Sequence, residues 1–218
     1  MTAGARSVPT SGGVDAVASR LRELAGQGRR IIVAVAGPPG AGKSTFSDAL
    51  HAALENRAPG SSAILPMDGF HYDNSVIAPL GLLPRKGSPQ TFDAHGLVAT
   101  LARIRSAREA VAVPVFDRAM DLARAGARII APGQAIVIVE GNYLLLDEEP
   151  WRQAAPLFDL TVFLSVPQKV LEERLIRRWL DHGLDPDAAR LRALGNDIPN
   201  ALHVNANSRS ADIVAENF

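Results

Sequence analysis

Residues 31–45 read IIVAVAGPPGAGKST, and this stretch decides the fold. Its first half, Ile31 to Ala36, is a continuous apolar, β-branched run, the mark of a strand buried on both faces of a parallel sheet. A strand ending in a turn accounts for the glycines and prolines that follow. It does not account for Lys43 and Ser44 directly after Gly42. Gly37, Pro38, Pro39, Gly40, Ala41, Gly42, Lys43 and Ser44 together fit G-x-x-x-x-G-K-[ST], and Ser44-Thr45 opens the helical stretch STFSDALHAALEN. In that setting the glycines let successive backbone N–H groups turn around phosphate oxygens, the helix start adds the positive end of its dipole, and Lys43 adds a full charge. Ser44 can offer its hydroxyl to Mg²⁺. The competing reading is a Gly/Pro turn with a solvated lysine.

Outward from this loop, the chain alternates between the two periodicities. VDAVASRLRELA carries apolar residues at helical spacing, SAILPMD is a second short strand, and AIVIVEG and DLTVFLSV are two more. PWRQAAPLF and QKVLEERLIRRWLDHG read as the helical stretches after them, and ADIVAE as a last strand. Strands alternating with helices predict an α/β fold, a doubly wound, mostly parallel sheet whose ligands bind at the carboxyl ends of the strands. Residues 1–13, rich in Gly, Ser, Thr and Pro, read as a disordered tail, and 14–218 as one domain. Gly69 to Pro89 is the longest stretch without clear periodicity, and long loops in compact domains are functional or disordered.

Composition narrows the function. The chain has 218 residues, 47% of them hydrophobic, enough for one sizeable core. Lys plus Arg and Asp plus Glu each number 23, so no global positive field gathers nucleic acid or an anionic membrane, and any anion binding must be local. The absence of cysteine excludes disulfides, thiolate zinc sites and cysteine nucleophiles, and agrees with a reducing compartment. The opening MTAGARSVPTSGG has no apolar h-region and nowhere do 18 apolar residues run together, so a cytoplasmic protein is the default.

Other residues must say what happens to the bound phosphate. A GTPase would carry N-K-x-D for guanine, and no asparagine of this chain is followed by lysine. Glu140 ends a hydrophobic strand where many NTPases place an Asp that helps hold Mg²⁺; a strand-end carboxylate bound to backbone N–H groups is the alternative. Asp68, at the carboxyl end of the second strand, can accept the proton of a substrate hydroxyl as that oxygen attacks phosphorus, the alternative being an Asx-turn into Gly69. His71 and Tyr72 follow on a loop where a substrate could touch them, or where they pack locally. Arg174, Arg177 and Arg178 share one helical face and could close over phosphates, or pair with Glu172 and Glu173 in solvent. Asp93, before AHGLVATLARI, reads as an N-cap. No role is assigned to Asn196 or Asn200.

With these residues assembled, the chain resembles the uridine kinase, pantothenate kinase and phosphoribulokinase superfamily of P-loop kinases. GPPGAGKST is similar to the nucleotide loop of that group, MDGFHYDN to the segment with its catalytic Asp, and RKGSPQTFD to a linker shared especially with the pantothenate kinase branch. IVIVEGNYLLL is similar to its second buried strand, ERLIRRW to its lid helix and SRSADIVAE to its C-terminal strand. VPVFDRAMDLARAG, VEGNYLLLDEEPW, RWLDHG and NDIPNA look most like a branch labelled fructose-transport-system or nucleoside-kinase-like.

The resemblance implies a nucleoside-kinase-like fold with a helical lid at about residues 169–195, ATP and Mg²⁺ as cofactors, and transfer of the γ-phosphate to a hydroxyl of a sugar, nucleoside or pantothenate-like metabolite. A regulatory or chaperone-like NTPase without an acceptor is the rival. Lys43, Ser44, Thr45 and Arg209 would bind nucleotide, Ser44 and Glu140 the metal, Asp68 would be the base, and Arg174 and Arg178 the lid cations. The chain departs from the ribonucleoside kinases, which carry a histidine shortly after a PVYD-like segment; here Val115-Phe116-Asp117-Arg118 continues as Ala-Met-Asp. Asp117, Arg118 and Asp121 are therefore substrate-facing candidates or a solvated turn, and Arg85 and Lys86 could receive an anionic group of the substrate. The partner is a small-molecule acceptor, with no nucleic acid and no membrane; a homodimer is compatible with the sequence.

Overall fold

The computed structural model describes residues 10–26 and 29–217. In chain order these form β1 (Thr10–Ser11), α1 (Val14–Ala25), β2 (Ile31–Ala36), α2 (Lys43–Glu55), β3 (Ser62–Pro66), α3 (Asn74–Ile77), α4 (Ala94–Ser106), β4 (Val111–Asp117), β5 (Leu122–Ile130), β6 (Ile136–Gly141), β7 (Leu160–Ser165), α5 (Gln168–Asp181), α6 (Pro186–Arg192), α7 (Ile198–Asn207) and β8 (Ile213–Glu216). Of the expected disordered tail, residues 1–9 lie outside the described residues. Thr10–Ser11 instead pair in parallel with β8.

Six strands build one all-parallel sheet in the order β1-β8-β7-β2-β6-β3. The buried run 31–36 is its centre, with β6 on one side and β7 on the other. Alternate residues of β2 serve the two faces, as the period of two requires. Ile32, Ala34 and Ala36 join a core with α4, Tyr143 and Trp151. Ile31, Val33 and Val35 join a second core with α1, α2 and α5. Helices cover both faces, as the alternation of elements predicts.

PWRQAAPLF is helical as expected, in the form of a 3-10 segment, Trp151–Leu157, with Pro156 inside it; a proline cannot donate the backbone bond that an α-helix interior needs. Strand β4 stands outside the main sheet as an antiparallel hairpin with β5, a feature that the sequence analysis does not foresee. Asp93 caps α4 as expected, its carboxylate accepting from Gly96 N–H at 2.8 Å. Among the described residues no helix is long and apolar enough to cross a membrane.

The register fixes the site. Glu140 lies level with Val35 and Pro66 across adjacent strands, so the loop after β2, the end of β6 and Asp68 two residues beyond β3 all emerge at one carboxyl edge. Gly141 has no room for a side chain: a Cβ there would sit 2.4 Å from that of Met67, the residue before Asp68. Gly69, just after Asp68, is equally constrained, since a Cβ would meet the carbonyl oxygen of Pro114 in β4 at 2.5 Å. The hairpin is thereby brought against the segment that holds Asp68.

Candidate active site

A cavity of about 430 Å³ opens at this edge, lined by the loop after β2, by Asp68, His71 and Lys86, by the hairpin residues Phe116, Arg118 and Asp121, by Glu140, and by Arg178, Arg192 and Asp197 from the α5–α7 side. Pro39, Gly40, Gly42, Lys43, Ser44 and Thr45 face it; Gly37, Pro38 and Ala41 lie behind, in the body of the loop. Gly40 and Gly42 take φ of 80° and 83°, left-handed values that a side chain would strain, and a Cβ on Gly42 would also lie 2.6 Å from the Asn217 amide nitrogen. Asn217 in turn donates that amide to the carbonyl of Ala41 at 2.7 Å, tying the end of β8 to the loop.

Lys43 is buried and donates to the Pro38 carbonyl at 2.9 Å. Burial lowers its pKa to about 8, with Glu140 and Asp68 opposing that fall. Glu140 is buried as well. Desolvation first, and Asp68 beside it second, raise its pKa to about 7 against the pull of Lys43, Arg118 and a Ser44 hydrogen bond. Ser44 is exposed to the cavity, so one hydroxyl and the carboxylates of Asp68 and Glu140 are the oxygen donors at hand. Among the described residues no three His, Cys, Asp or Glu form a complete metal cage. The donor set of one hydroxyl and two carboxylates suits Mg²⁺, which keeps several waters and takes one or two carboxylates plus substrate phosphates.

The raised pKa of Glu140 has a measurable consequence. The folded protein holds this proton more tightly than the unfolded chain, whose value is near 4.5, so stability is present below that value and is lost as pH rises towards about 7. The loss is on the order of 3 kcal/mol. Glu140→Gln should therefore raise the melting midpoint of the ligand-free protein at pH 8 and flatten its decline between pH 5 and 7, while turnover falls. Calorimetry of both forms across that range checks it; an unchanged pH slope would show that Glu140 titrates normally.

Asp68 accepts from an Arg118 terminal nitrogen at 2.8 Å, and among the described residues no backbone N–H takes its carboxylate, so the Asx-turn alternative is not realised. His71 packs between Phe92 and Phe116, with ring centroids at 3.9 and 4.7 Å, and burial lowers its pKa. Lys86 donates to Asn74 Oδ1, to the Asp121 carbonyl and to Asp121 Oδ2 at 2.7, 2.8 and 2.9 Å, and lies over the Phe116 ring. Asp121 sits at φ 52°; although it is partly desolvated, the bonds from Lys86 and Asn74 hold its pKa low.

Several expected residues stand elsewhere. Asp117 accepts from the backbone N–H groups of Ala119 and Met120 and pairs with Arg124, which makes it a turn residue. Tyr72 is exposed and does not line the cavity, its N–H going to the Thr91 carbonyl. Arg85 donates to Gly195 O and Asn200 Oδ1. Arg174 reaches the Gly40 and Asn217 carbonyls at 3.4 Å from outside the cavity. Arg209 precedes the amino end of β8 and does not line the cavity; its N–H goes to the Leu145 carbonyl, and Asp147 and Asp212 are its neighbouring carboxylates.

Arg178 does line the cavity, and among the described residues its guanidinium makes no hydrogen bond; burial and the nearby Arg118 depress its pKa. Trp179, beside it, donates to Asp197 Oδ2 at 2.6 Å. Asp197, Asn200 and Arg192 were not singled out for the site. The signal was the polar triplet Asn196, Asp197 and Asn200, all buried, around a π-helical turn at Ala193–Asp197.

Known proteins resemble this chain in sequence and fold. A crystal structure described as a candidate fructose transport system kinase from Silicibacter sp. TM1040 superposes with a TM-score of 0.87, is 44% identical, and covers 94% of this chain and 99% of that one. A Schizosaccharomyces pombe protein described as a candidate uridine kinase is 34% identical over 218 residues, 95% of this chain and 92% of the relative. The pantothenate kinase of Sorangium cellulosum is 36% identical over 160 residues, 70% of this chain and 51% of that enzyme. The phosphoribulokinase / uridine kinase family profile matches residues 32–192. With a phosphate loop, a strand-end carboxylate and the Arg178 guanidinium around one cavity, the chain belongs to the phosphoribulokinase and uridine kinase family, and so to the phosphotransferases that use an alcohol group as acceptor.

Proposed function

We propose that the protein moves the γ-phosphate of Mg·ATP to a hydroxyl of a small metabolite, with Asp68 as base. The observation that carries this reading is the convergence of Lys43, Asp68 and Arg178 on one cavity. A hydrolytic or signalling NTPase needs neither a base facing an acceptor wall nor a cation that, beyond its stacking on the Trp179 ring, keeps its N–H donors unspent among the described residues. Lys43 and the loop amides would hold the β- and γ-phosphates, and Ser44, with Glu140 through water, would hold Mg²⁺, which draws charge from the transferring group. Asp68 Oδ1, free beside the bond that Oδ2 makes to Arg118, takes the hydroxyl proton. Arg178, with its donors unspent, meets the phosphoryl oxygens as negative charge builds on them.

The test is acceptor-stimulated ADP release across nucleosides, sugars, glycerate and pantothenate; hydrolysis indifferent to every acceptor would favour the regulatory NTPase. Arg178→Ala separates the roles further. A cation that matters when the site closes lowers turnover more than ATP affinity, by about 10–100-fold for a charge-assisted bond. Unchanged turnover with a lower melting midpoint would make Arg178 a structural residue.

A further inference from the structure

The acceptor wall carries more positive charge than the donor phosphate needs. Arg118 comes from the β4–β5 turn, Arg178 from α5 and Arg192 from the end of α6, and all three line the cavity. Five cationic side chains stand there against four carboxylates, and two of those, Glu140 and Asp197, are pushed by burial towards their neutral forms.

Two of these cations, Lys86 and Arg192, are already committed, and Lys43 and Arg178 are those assigned to the donor phosphates. An ammonium has three donors, and Asn74 Oδ1, the Asp121 carbonyl and Asp121 Oδ2 take all three of Lys86. Arg85 is turned to Gly195 and Asn200 and stands off the cavity. Arg192 donates to the carbonyls of Pro84 and Lys86 and lies over the Trp179 ring. Arg118 differs from them. Among the described residues it spends one terminal nitrogen, on Asp68 Oδ2, and its side chain is half exposed at the cavity. A guanidinium has five N–H donors in a planar fork suited to carboxylate and phosphate. Anchored to the base through one arm, that fork lies next to the place where the acceptor hydroxyl must sit.

We infer that Arg118 is the receptor for an anionic group on the acceptor, a carboxylate or a phosphate placed a few atoms from the hydroxyl that Asp68 holds. The inference rests on the kinase reading of the cavity and narrows its substrate class from alcohols in general to hydroxylated anions. It also moves the anion site from Arg85 and Lys86, where the sequence placed it, to the hairpin turn.

The experiment compares wild type, Arg118→Met and Arg118→Lys. Matched acceptors differ in charge alone or nearly so: glycerate against glycerol and pantothenate against pantothenol for the carboxylate, fructose 6-phosphate against fructose for the phosphate. The anionic member should win in at least one pair by about tenfold or more in kcat/KM. Arg118→Met should lose that factor mainly through KM, and Arg118→Lys should keep part of it. Equal or better use of the neutral members, or a preference that survives Arg118→Met, would overturn the inference.

A second arm needs no acceptor. With Mg·AMP-PNP filling the phosphate loop, sulfate titrated against chloride at equal ionic strength should raise the melting midpoint of wild type, less that of Arg118→Lys, and not that of Arg118→Met. Equal shifts in all three would place the anion elsewhere and overturn the proposal. An Arg118-dependent sulfate shift in a protein that phosphorylates no acceptor would uphold the anion site and reject the kinase reading, so the two fail separately.

Discussion

Asp68→Asn should cut acceptor phosphorylation by about 10²–10⁴-fold while leaving ATP binding intact. Asparagine keeps the size of the side chain and its reach to Arg118, so the 2.8 Å contact survives as a hydrogen bond without its charge. What the variant lacks is a lone pair basic enough to take the hydroxyl proton. A loose, dissociative transition state asks less of a base, which places the loss towards the lower end of that range. ATP affinity and acceptor-dependent ADP release, measured in one preparation, decide the matter. Intact binding with near-normal release would remove Asp68 from the chemistry and leave the cavity without a base.

Lys43→Ala should cost at least about a hundredfold in turnover, since a preorganised donor to developing charge is worth about 3–4 kcal/mol. The loop would not collapse as a result. The ammonium makes one bond to it, to the Pro38 carbonyl, and the glycine conformations and the Asn217 amide hold the loop independently. Burial keeps Lys43 poised near pKa 8, so phosphate oxygens arriving beside it restore the full charge that desolvation weakens. A variant within threefold of wild type would show that the backbone amides suffice and that Lys43 has another task. Circular dichroism should show an unchanged fold beside the lost activity.

The parts legible in the sequence are those whose physics is local. Gly37 to Ser44 announces itself because tight turns, a helix start and a charge must fall at fixed spacing. Asp68 and Glu140 follow from where strands end, since parallel strands deliver their carboxyl ends to one edge. The hairpin partner LARAGARII was hidden because most of its residues are exposed, which removes the alternation that marks a half-buried strand. Asp117 misled for a related reason: an Asp before a turn is as well suited to cap backbone N–H groups as to face a substrate, and here it caps them. Arg192, Asp197 and Asn200 reach the cavity through the packing of α5 to α7, which no short window encodes. Arg209 is a motif position that the fold sets before the amino end of β8, outside the lining of the cavity.

Gly69 carries a consequence for motion. With room for no more than a hydrogen between its backbone and the Pro114 carbonyl, the segment holding Asp68 and strand β4 are expected to move together. If the lid expected from the resemblance closes the site, that closing would then fall to the opposite side, α5 and α6. Paired spectroscopic labels would see this as a fixed distance between the Asp68 segment and β4, and as a nucleotide-dependent one between β4 and α6. On that expectation the acceptor would rest on a fixed wall, with Arg178 approaching from the opposite side.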